Sequence, residues 1–222
     1  PVPLPRQGAN HGDARTAGRY ASASALRALW RQEGPDALAP YVPAGALPRY
    51  QAARAAGDDT DPQAVSLAVL SRLRARADMG GFAGVRGAAE GLEHRLDSCV
   101  RQAVTLEGLC DALTTVRYPR ARMRRLAMDA ALGYGSPGAG PGWLTLPALP
   151  PYLHLLAARR EAMPLLAAAS LPVSPSLARL ARENDACART ARAQTAASDL
   201  AALCRRTPQP MGTAYTVPFT KL

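Results

Sequence analysis

The feature that most constrains the fold is a series of segments with helical periodicity, separated by tracts of glycine and proline. The clearest begins at Asp61-Pro62, where the aspartate can cap a helix and proline takes the first helical position. After it, apolar residues recur at helical spacing, with Arg72, Arg74 and Arg76 between them. Further helices are predicted over residues 88–103, 106–113 and 119–132, and most of 176–206. The pattern predicts a mainly α fold.

Two short apolar stretches near the end of the chain, residues 152–156 and 171–173, are bounded by proline and can form strands. We therefore expect a mainly α, helical protein with at most two or three short β-strands near the C-terminus. Glycine and proline are dense between Gly133 and Gly142, which predicts a flexible connector. The expected parts are the end of another domain (1–34), a helical domain (35–132), the connector (133–145) and a C-terminal α subdomain with short strands (146–222).

The balance of charge is strongly positive. There are 27 Lys and Arg residues against 17 Asp and Glu, a net charge of +10, and Lys221 is the single lysine. Arginine binds phosphate through two parallel hydrogen bonds, so this bias fits contact with nucleic acid. A GC-rich genome would also replace lysine by arginine, but it does not explain the surplus of positive charge.

The cysteines and histidines exclude several other classes of protein. Four widely spaced cysteines (Cys99, Cys110, Cys187 and Cys204) form no Cys-x-x-Cys pair and predict reduced thiols in a cytoplasmic protein. Only three histidines are present, none of them paired, so we expect no metal site. No apolar run reaches the roughly 18 residues of a membrane span, and the start of the chain has no apolar signal-peptide core. We expect no association with a membrane.

The first candidate site lies near the start of the chain, where a loop containing Arg6 precedes a segment of small residues. Ser22 and Ser24 can cap a helix there, and the amides of a helix N-terminus attract anions. Arg27, one turn further, can add a forked cation to the same anion. This is chemistry suited to phosphate. The alternative is an ordinary loop followed by a capped helix.

The second candidate site is the segment 117–125, which contains five arginines and one aromatic residue, Tyr118. On a helix that begins near Pro119, we expect the side chains Arg117, Tyr118, Arg122 and Arg125 to contact the phosphates and bases of RNA. The alternative is a solvated basic face, in which Arg125 pairs with Asp129 one turn later.

A third group, Glu90, Glu93 and His94, could suggest acid–base catalysis or a metal, but it lacks a second histidine. We favour a structural role. In this interpretation Gly91 allows close packing against another backbone, and Glu93 and Arg95 are candidates for buried pairing.

Taken in order, these three segments resemble the C-terminal region of the bacterial tRNA(Met) cytidine acetate ligase family, which is nucleotidyltransferase-like and belongs to the HIGH superfamily. Arg6 matches an arginine that contacts ATP in that family, and Ser22, Ser24 and Arg27 match its phosphate-binding segment. The residues Arg117, Tyr118, Arg122 and Arg125 match a further basic motif of the family. This chain departs from that motif, because two lysines are replaced by Thr114 and Val116 and two threonines by Pro119 and Ala121.

The resemblance implies an enzyme that uses ATP to activate acetate and then acetylates the wobble cytidine of elongator tRNA(Met). It implies tRNA as a partner, and it makes residues 1–34 the tail end of a truncated nucleotidyltransferase-like domain whose nucleotide-binding half is missing. We therefore expect the chain to be inactive by itself. Two alternatives stay open: a non-catalytic RNA-binding helical module that keeps the fold without the chemistry, and a helical module for protein contacts.

Overall fold

The computed structural model describes residues 20–221, which divide into two units between Asp59 and Thr60. Unit 1 contains helices α1 (Ala23–Glu33) and α2 (Leu47–Ala55), with a short 3₁₀ helix at Asp36–Leu38 between them. α1 ends at Gly34, whose φ of 91° is readily adopted by glycine. In this unit the ring of Trp30 packs edge-on against Tyr50, with centroids 5.8 Å apart.

Unit 2 contains the remaining α-helices of the described residues. They are α3 (Pro62–Asp78), α4 (Leu92–Gln102), α5 (Leu106–Leu113), α6 (Arg120–Leu132), α7 (Met163–Ala167), α8 (Leu177–Leu180) and α9 (Asp185–Leu203). α3 begins as predicted, because the Asp61 carboxylate accepts the N–H of Gln63 and Pro62 is the first helical residue. The Thr105 hydroxyl caps α5 in the same way, by accepting the N–H of Gly108.

The main core of unit 2 is formed by α3, α4, α5 and α6, with a contribution from α9. Its fully buried side chains include Leu73, Leu96, Leu109, Leu113 and Met123. Burying each side chain of this size contributes about 1.5–3 kcal/mol relative to exposure. A second, smaller core gathers residues from α8, α9 and their neighbouring segments: Tyr152, Leu177, Leu180, Cys187, Ala191 and Ala214. The core fixes which side of each helix faces solvent.

The predicted mainly α class is confirmed, but the described residues contain four strands, more than the two or three expected. The strands are β1 (Leu153–His154), β2 (Ala157–Ala158), β3 (Val173–Ser174) and β4 (Thr220–Lys221), paired in parallel as β1 with β3 and β2 with β4. Each is two residues long. Strands this short carry no periodic pattern, so the β2–β4 pair has no signal in the sequence.

Residues 133–145, where the sequence predicts a connector, form a loop of unit 2 with specific backbone contacts. The Leu144 N–H donates to the Gly133 carbonyl at 2.7 Å, and the Gly135 N–H donates to the Leu144 carbonyl at 3.1 Å. A Cβ on Gly135 would lie 2.6 Å from the Cβ of Trp143. Glycine is needed here because two chain segments approach closely. These contacts place the loop within unit 2, whose residues follow Asp59.

Candidate nucleic-acid interface

The orientation of α6 is set by its buried residues. Met123, Leu126, Ala127 and Ala130 all face the main core, with exposures of 3% or less. The intervening arginines must therefore lie on the remaining faces of the helix. Just before α6, the N–H of Tyr118 donates to the Thr115 side chain and carbonyl, at 3.0 and 3.2 Å. This turn holds Tyr118 at the start of the basic helix.

Tyr118 is the centre of one cluster of charged side chains. The guanidinium carbon of Arg122 lies 4.9 Å from its ring centroid and that of Arg117 lies 5.7 Å away, within the range of cation–π contact. The Tyr118 hydroxyl donates to Glu90 at 2.7 Å, and Arg117 binds the same carboxylate at 2.6 Å. The hydrogen bond to Glu90 raises the pKa of Tyr118. One carboxylate therefore holds both a phenol and a guanidinium.

Two other arginines of α6 face the acidic helix α5. Arg120 pairs with Glu107 and Asp111, and Arg124 lies 3.9 Å from Glu107. Arg120 and Arg124 are four residues apart and so share one side of the helix. Their charges are largely compensated by this contact, which joins α5 to α6.

Arg122 and Arg125 have no carboxylate within ion-pair distance in the described part of the chain. Arg122 donates to the Gly87 carbonyl at 3.5 Å, and Arg125 is exposed. The expected alternative, a pair between Arg125 and Asp129, is not formed. Asp129 instead accepts two hydrogen bonds from Arg86, at 2.8 and 2.9 Å, and this contact raises the pKa of Arg86. A forked pair of this kind is stronger than a single surface contact. The Asp129 carboxylate is therefore bound by Arg86 and does not pair with Arg125.

The segment around Glu90 differs from the prediction in detail. Glu90 has φ 58°, an unusual conformation for a residue other than glycine, and Gly91 caps α4 with φ 82°. A Cβ on Gly91 would meet nothing within 4 Å, so the glycine serves the left-handed backbone and not close packing. The expected Glu93–Arg95 pair is absent as well. Arg95 donates to the Ala112 carbonyl at 2.7 Å instead.

The candidate phosphate site of unit 1 is seen in part, because Arg6 lies outside the described residues. Ser22 is buried, and its hydroxyl caps α1 by accepting the Ala25 N–H at 3.0 Å. Ser24 lies in the first turn, where its hydroxyl accepts a long 3.5 Å contact from the exposed Arg27. Ser24 and Arg27 are therefore adjacent and can both donate to an oxyanion at this helix end.

Two contacts that the sequence analysis missed involve residues far apart in the chain. One is the Glu90 contact to Tyr118, and the other joins Arg76 to Trp143, whose ring lies 3.9 Å from the guanidinium carbon. No local spacing pattern signals either of them. Across residues 20–221, no helix is long and apolar enough to span a bilayer, and no three metal-ligating side chains are grouped together.

Comparison with known proteins shows a relationship over almost the whole chain. A family model described as HIGH Nucleotidyl Transferase matches residues 1–213. Two crystal structures of Thermotoga maritima TmcAL have the same fold at 19% sequence identity. The one bound with alpha-thio ATP (form II) has a TM-score of 0.76 over 94% of this chain, and the apo structure (form I) has 0.79 over 98%. This chain covers 54% of each, about half of their length. No curated protein sequence matches the chain.

Proposed function

Because the chain belongs to the HIGH nucleotidyltransferase family, we propose that it acts in an ATP-dependent, tRNA-modifying ligase of the kind that its motifs resemble, the tRNA(Met) cytidine acetate ligases. In this proposal, unit 2 binds tRNA through the basic surface defined by Arg117, Tyr118, Arg122 and Arg125. Unit 1 contributes part of the adenylate site. The observation that carries the proposal is that Arg122, which lies against the Tyr118 ring, and the exposed Arg125 have no acidic partner in the described part of unit 2.

The chemistry of this basic surface suits folded RNA. Arginines without acidic partners can bind backbone phosphates. Contacts with phosphates account for most of the affinity in many complexes of proteins with nucleic acids. Unpaired RNA bases stack on aromatic rings and on guanidinium planes, and the Arg122–Tyr118 pair offers both. Arg117 is held by Glu90, so in the free protein it contributes less positive charge than its two neighbours.

The adenylate site is supported by the family and by the fold shared with a TmcAL structure that holds alpha-thio ATP. In the described part of unit 1, Ser24 and Arg27 fit a phosphate group, whereas the Ser22 hydroxyl is used as a helix cap. Arg6 joins this set by resemblance. When bound, ATP supplies the adenylyl group that activates a carboxylate. The residues here would hold the phosphates and stabilise their charge.

The test is a titration of the chain with tRNA at several salt concentrations. If several phosphates are bound, the logarithm of the association constant falls linearly with the logarithm of the salt concentration, by about 0.7–0.9 per phosphate. Binding that is absent, or that does not depend on salt, would contradict the proposal. A homopolymer of single-stranded RNA at the same phosphate concentration serves as the control for non-specific attraction.

The second candidate is a non-catalytic RNA-binding module, favoured by the location of the basic surface wholly within unit 2. ATP binding separates the two functions. If the chain acts in a ligase, it should bind ATP. The double variant Ser24→Ala/Arg27→Ala should then weaken ATP binding by about tenfold, which corresponds to about 1.4 kcal/mol of lost contact. Its tRNA binding should stay unchanged. A chain that binds tRNA but no ATP at millimolar concentration would favour the non-catalytic module.

A further inference from the structure

Unit 2 contains a cavity of about 400 Å³ whose walls include five glycines. One wall is the C-terminal end of α3 and the turn that follows it, and the other is the loop around residues 138–143. The residues that matter for its chemistry are Arg76, Gly80, Gly84, Gly140 and Trp143. The volume is that of ordinary small-molecule sites, which range from about 300 to 1,000 Å³.

Arg76 is a half-buried cation without an acidic partner. Its guanidinium stacks 3.9 Å from the centre of the Trp143 ring and donates one hydrogen bond, to the Gly142 carbonyl at 3.1 Å. No carboxylate lies within ion-pair distance of it in the part of the chain that the structure describes. Burial lowers the pKa of Arg76, and no neighbouring charge opposes that effect. A half-buried cation without an acidic partner is stabilised when an anion binds beside it.

The glycines leave the cavity open to a ligand and permit the close contacts around it. Gly84 has φ 87°, and a Cβ there would lie 3.2 Å from Ala139 and 3.4 Å from Trp143. No carboxylate side chain lines the cavity. The carboxylate nearest to any of the glycines is Asp97, 3.9 Å from the Cβ position of Gly81, and it is bound by Arg101 at 2.9 Å. The walls therefore contain one cation and no competing anion.

The cavity also contains a second hydrogen-bond donor. The indole N–H of Trp143 has no hydrogen-bond acceptor among residues 20–221, and the nitrogen lies 3.4 Å from the Cβ position of Gly84, at the cavity wall. The contact with the indole ring holds the guanidinium at the cavity wall, and one of its five N–H groups is used on Gly142. The other N–H groups have no acceptor in the described part of the chain and are free for an oxyanion with several oxygens.

We propose that this cavity is a phosphoryl-binding site, in which the Arg76 guanidinium is the counter-ion and the Trp143 indole N–H is a second donor. The phosphoryl group comes either from a free nucleotide or from the RNA backbone. The site shares no residue with the surface formed by Arg117, Tyr118, Arg122 and Arg125. If binding at one of the two sites is lost, binding at the other can still be measured.

The experiment uses Trp143 as its own reporter. The chain has two tryptophans, so Trp30→Phe leaves Trp143 as the only one. The Trp30→Phe chain is titrated with inorganic phosphate, with ATP and with tRNA at constant ionic strength, and calorimetry gives the affinities. We expect a saturable change in Trp143 emission. A response to phosphate confirms the phosphoryl chemistry, a response to ATP assigns a free nucleotide, and a response to tRNA without one to ATP assigns the RNA backbone.

Two pairs of variants locate the binding. Arg76→Met keeps an apolar stem over the indole and should weaken the binding that Trp143 emission reports at least tenfold. The matched control Arg74→Met removes a charge from the same helix outside the cavity and should leave the affinity unchanged. Gly140→Asp places a carboxylate at the cavity wall and should abolish binding, whereas Gly140→Ala should preserve it, because a Cβ there meets nothing within 4 Å.

The proposal is overturned if no ligand changes the emission of Trp143, or if Arg76→Met and Gly140→Asp bind as tightly as their controls. Loss of tRNA binding in Arg122→Ala/Arg125→Ala, with the Trp143 response to ATP or phosphate intact, would concern the proposed function and not this cavity.

Discussion

The two sides of α6 carry the same residue type in different surroundings. On one side, Arg120 and Arg124 face the carboxylates of α5 and help to join two helices. On the other, Arg122 lies against Tyr118 and Arg125 is exposed, and neither has an acidic partner in the described part of the chain. A count of arginines treats the four alike. The difference shows that the availability of a cation depends on the carboxylates that the fold brings to it.

The contacts to α5 are not a major source of stability. Exposed ion pairs are worth about 0–1 kcal/mol, and both partners here are accessible to solvent. In the proposed function, their main effect is to remove two positive charges from those available to tRNA. The core beneath α6 stabilises both sides equally.

The largest expected effect is on that shared core. Met123→Ala removes a fully buried side chain and should lower the free energy of unfolding by about 2–5 kcal/mol. Unfolding would abolish the contacts of the arginines on both sides of α6. Chemical denaturation measures the change. The control is Met211→Ala, since Met211 is 84% exposed and its truncation should cost less than about 0.5 kcal/mol. Equal losses for the two variants would show that α6 is not held by the core as described.

The next effect concerns Glu90, whose carboxylate binds Arg117 and Tyr118 of the basic surface. Glu90→Gln removes the charge that holds Arg117 and should raise the affinity for tRNA by about three- to tenfold, with a steeper dependence on salt. Glu93→Gln makes the same change of charge at a residue without an arginine partner in the described part of the chain. It should have a smaller effect. An unchanged affinity in Glu90→Gln would mean that Arg117 does not contact tRNA.

A smaller gain should come from Val116, which replaces a lysine in the motif that this segment resembles. The side chain is fully exposed, so Val116→Lys should leave stability unchanged and raise the tRNA affinity about twofold, the effect of one screened charge. Val104→Lys is the matched control, at a position that is 82% exposed and outside this motif. The comparison is made by titration at low salt, and equal gains in both variants would assign the effect to net charge alone.

Local signals account for the helices that the sequence predicts well. Asp61-Pro62 and Thr105 mark the starts of α3 and α5, and α6 ends at Leu132 before Gly133, whose φ is 77°. A cap is chosen by residues within one turn, so a sequence shows it directly. The same holds for the adjacency of Ser24 and Arg27, three residues apart.

What the sequence could not predict depends on contacts between distant residues. Asp129 pairs with Arg86, 43 positions earlier, and not with Arg125 in its own helix. The glycines around residue 135 serve a close approach to Trp143, whereas their composition suggested flexibility. α4 begins at Leu92, later than expected, because Glu90 and Gly91 both adopt positive φ. No periodicity carries this information.

The smallest expected effect concerns pH. The hydrogen bond to Glu90 raises the pKa of Tyr118 above its usual value near 10, so folding favours the protonated phenol. Its contribution to stability is fully present below about pH 10 and is lost as the pH rises through the raised pKa. The midpoint temperatures of thermal unfolding of the unmodified chain and of Tyr118→Phe should therefore differ below that pH and converge above it. A difference that grows with pH would contradict the assigned sign.

The most direct test of the account compares the two sides of α6 by tRNA titration across a range of salt concentrations. Arg122→Ala/Arg125→Ala should lower the affinity about tenfold and reduce the slope of log K against log salt by about 1.5, the loss of two phosphate contacts. Arg120→Ala/Arg124→Ala removes the same formal charge but should change both quantities much less, because Glu107 and Asp111 already compensate it. Equal losses in the two variants, or a larger loss in the second, would contradict the account.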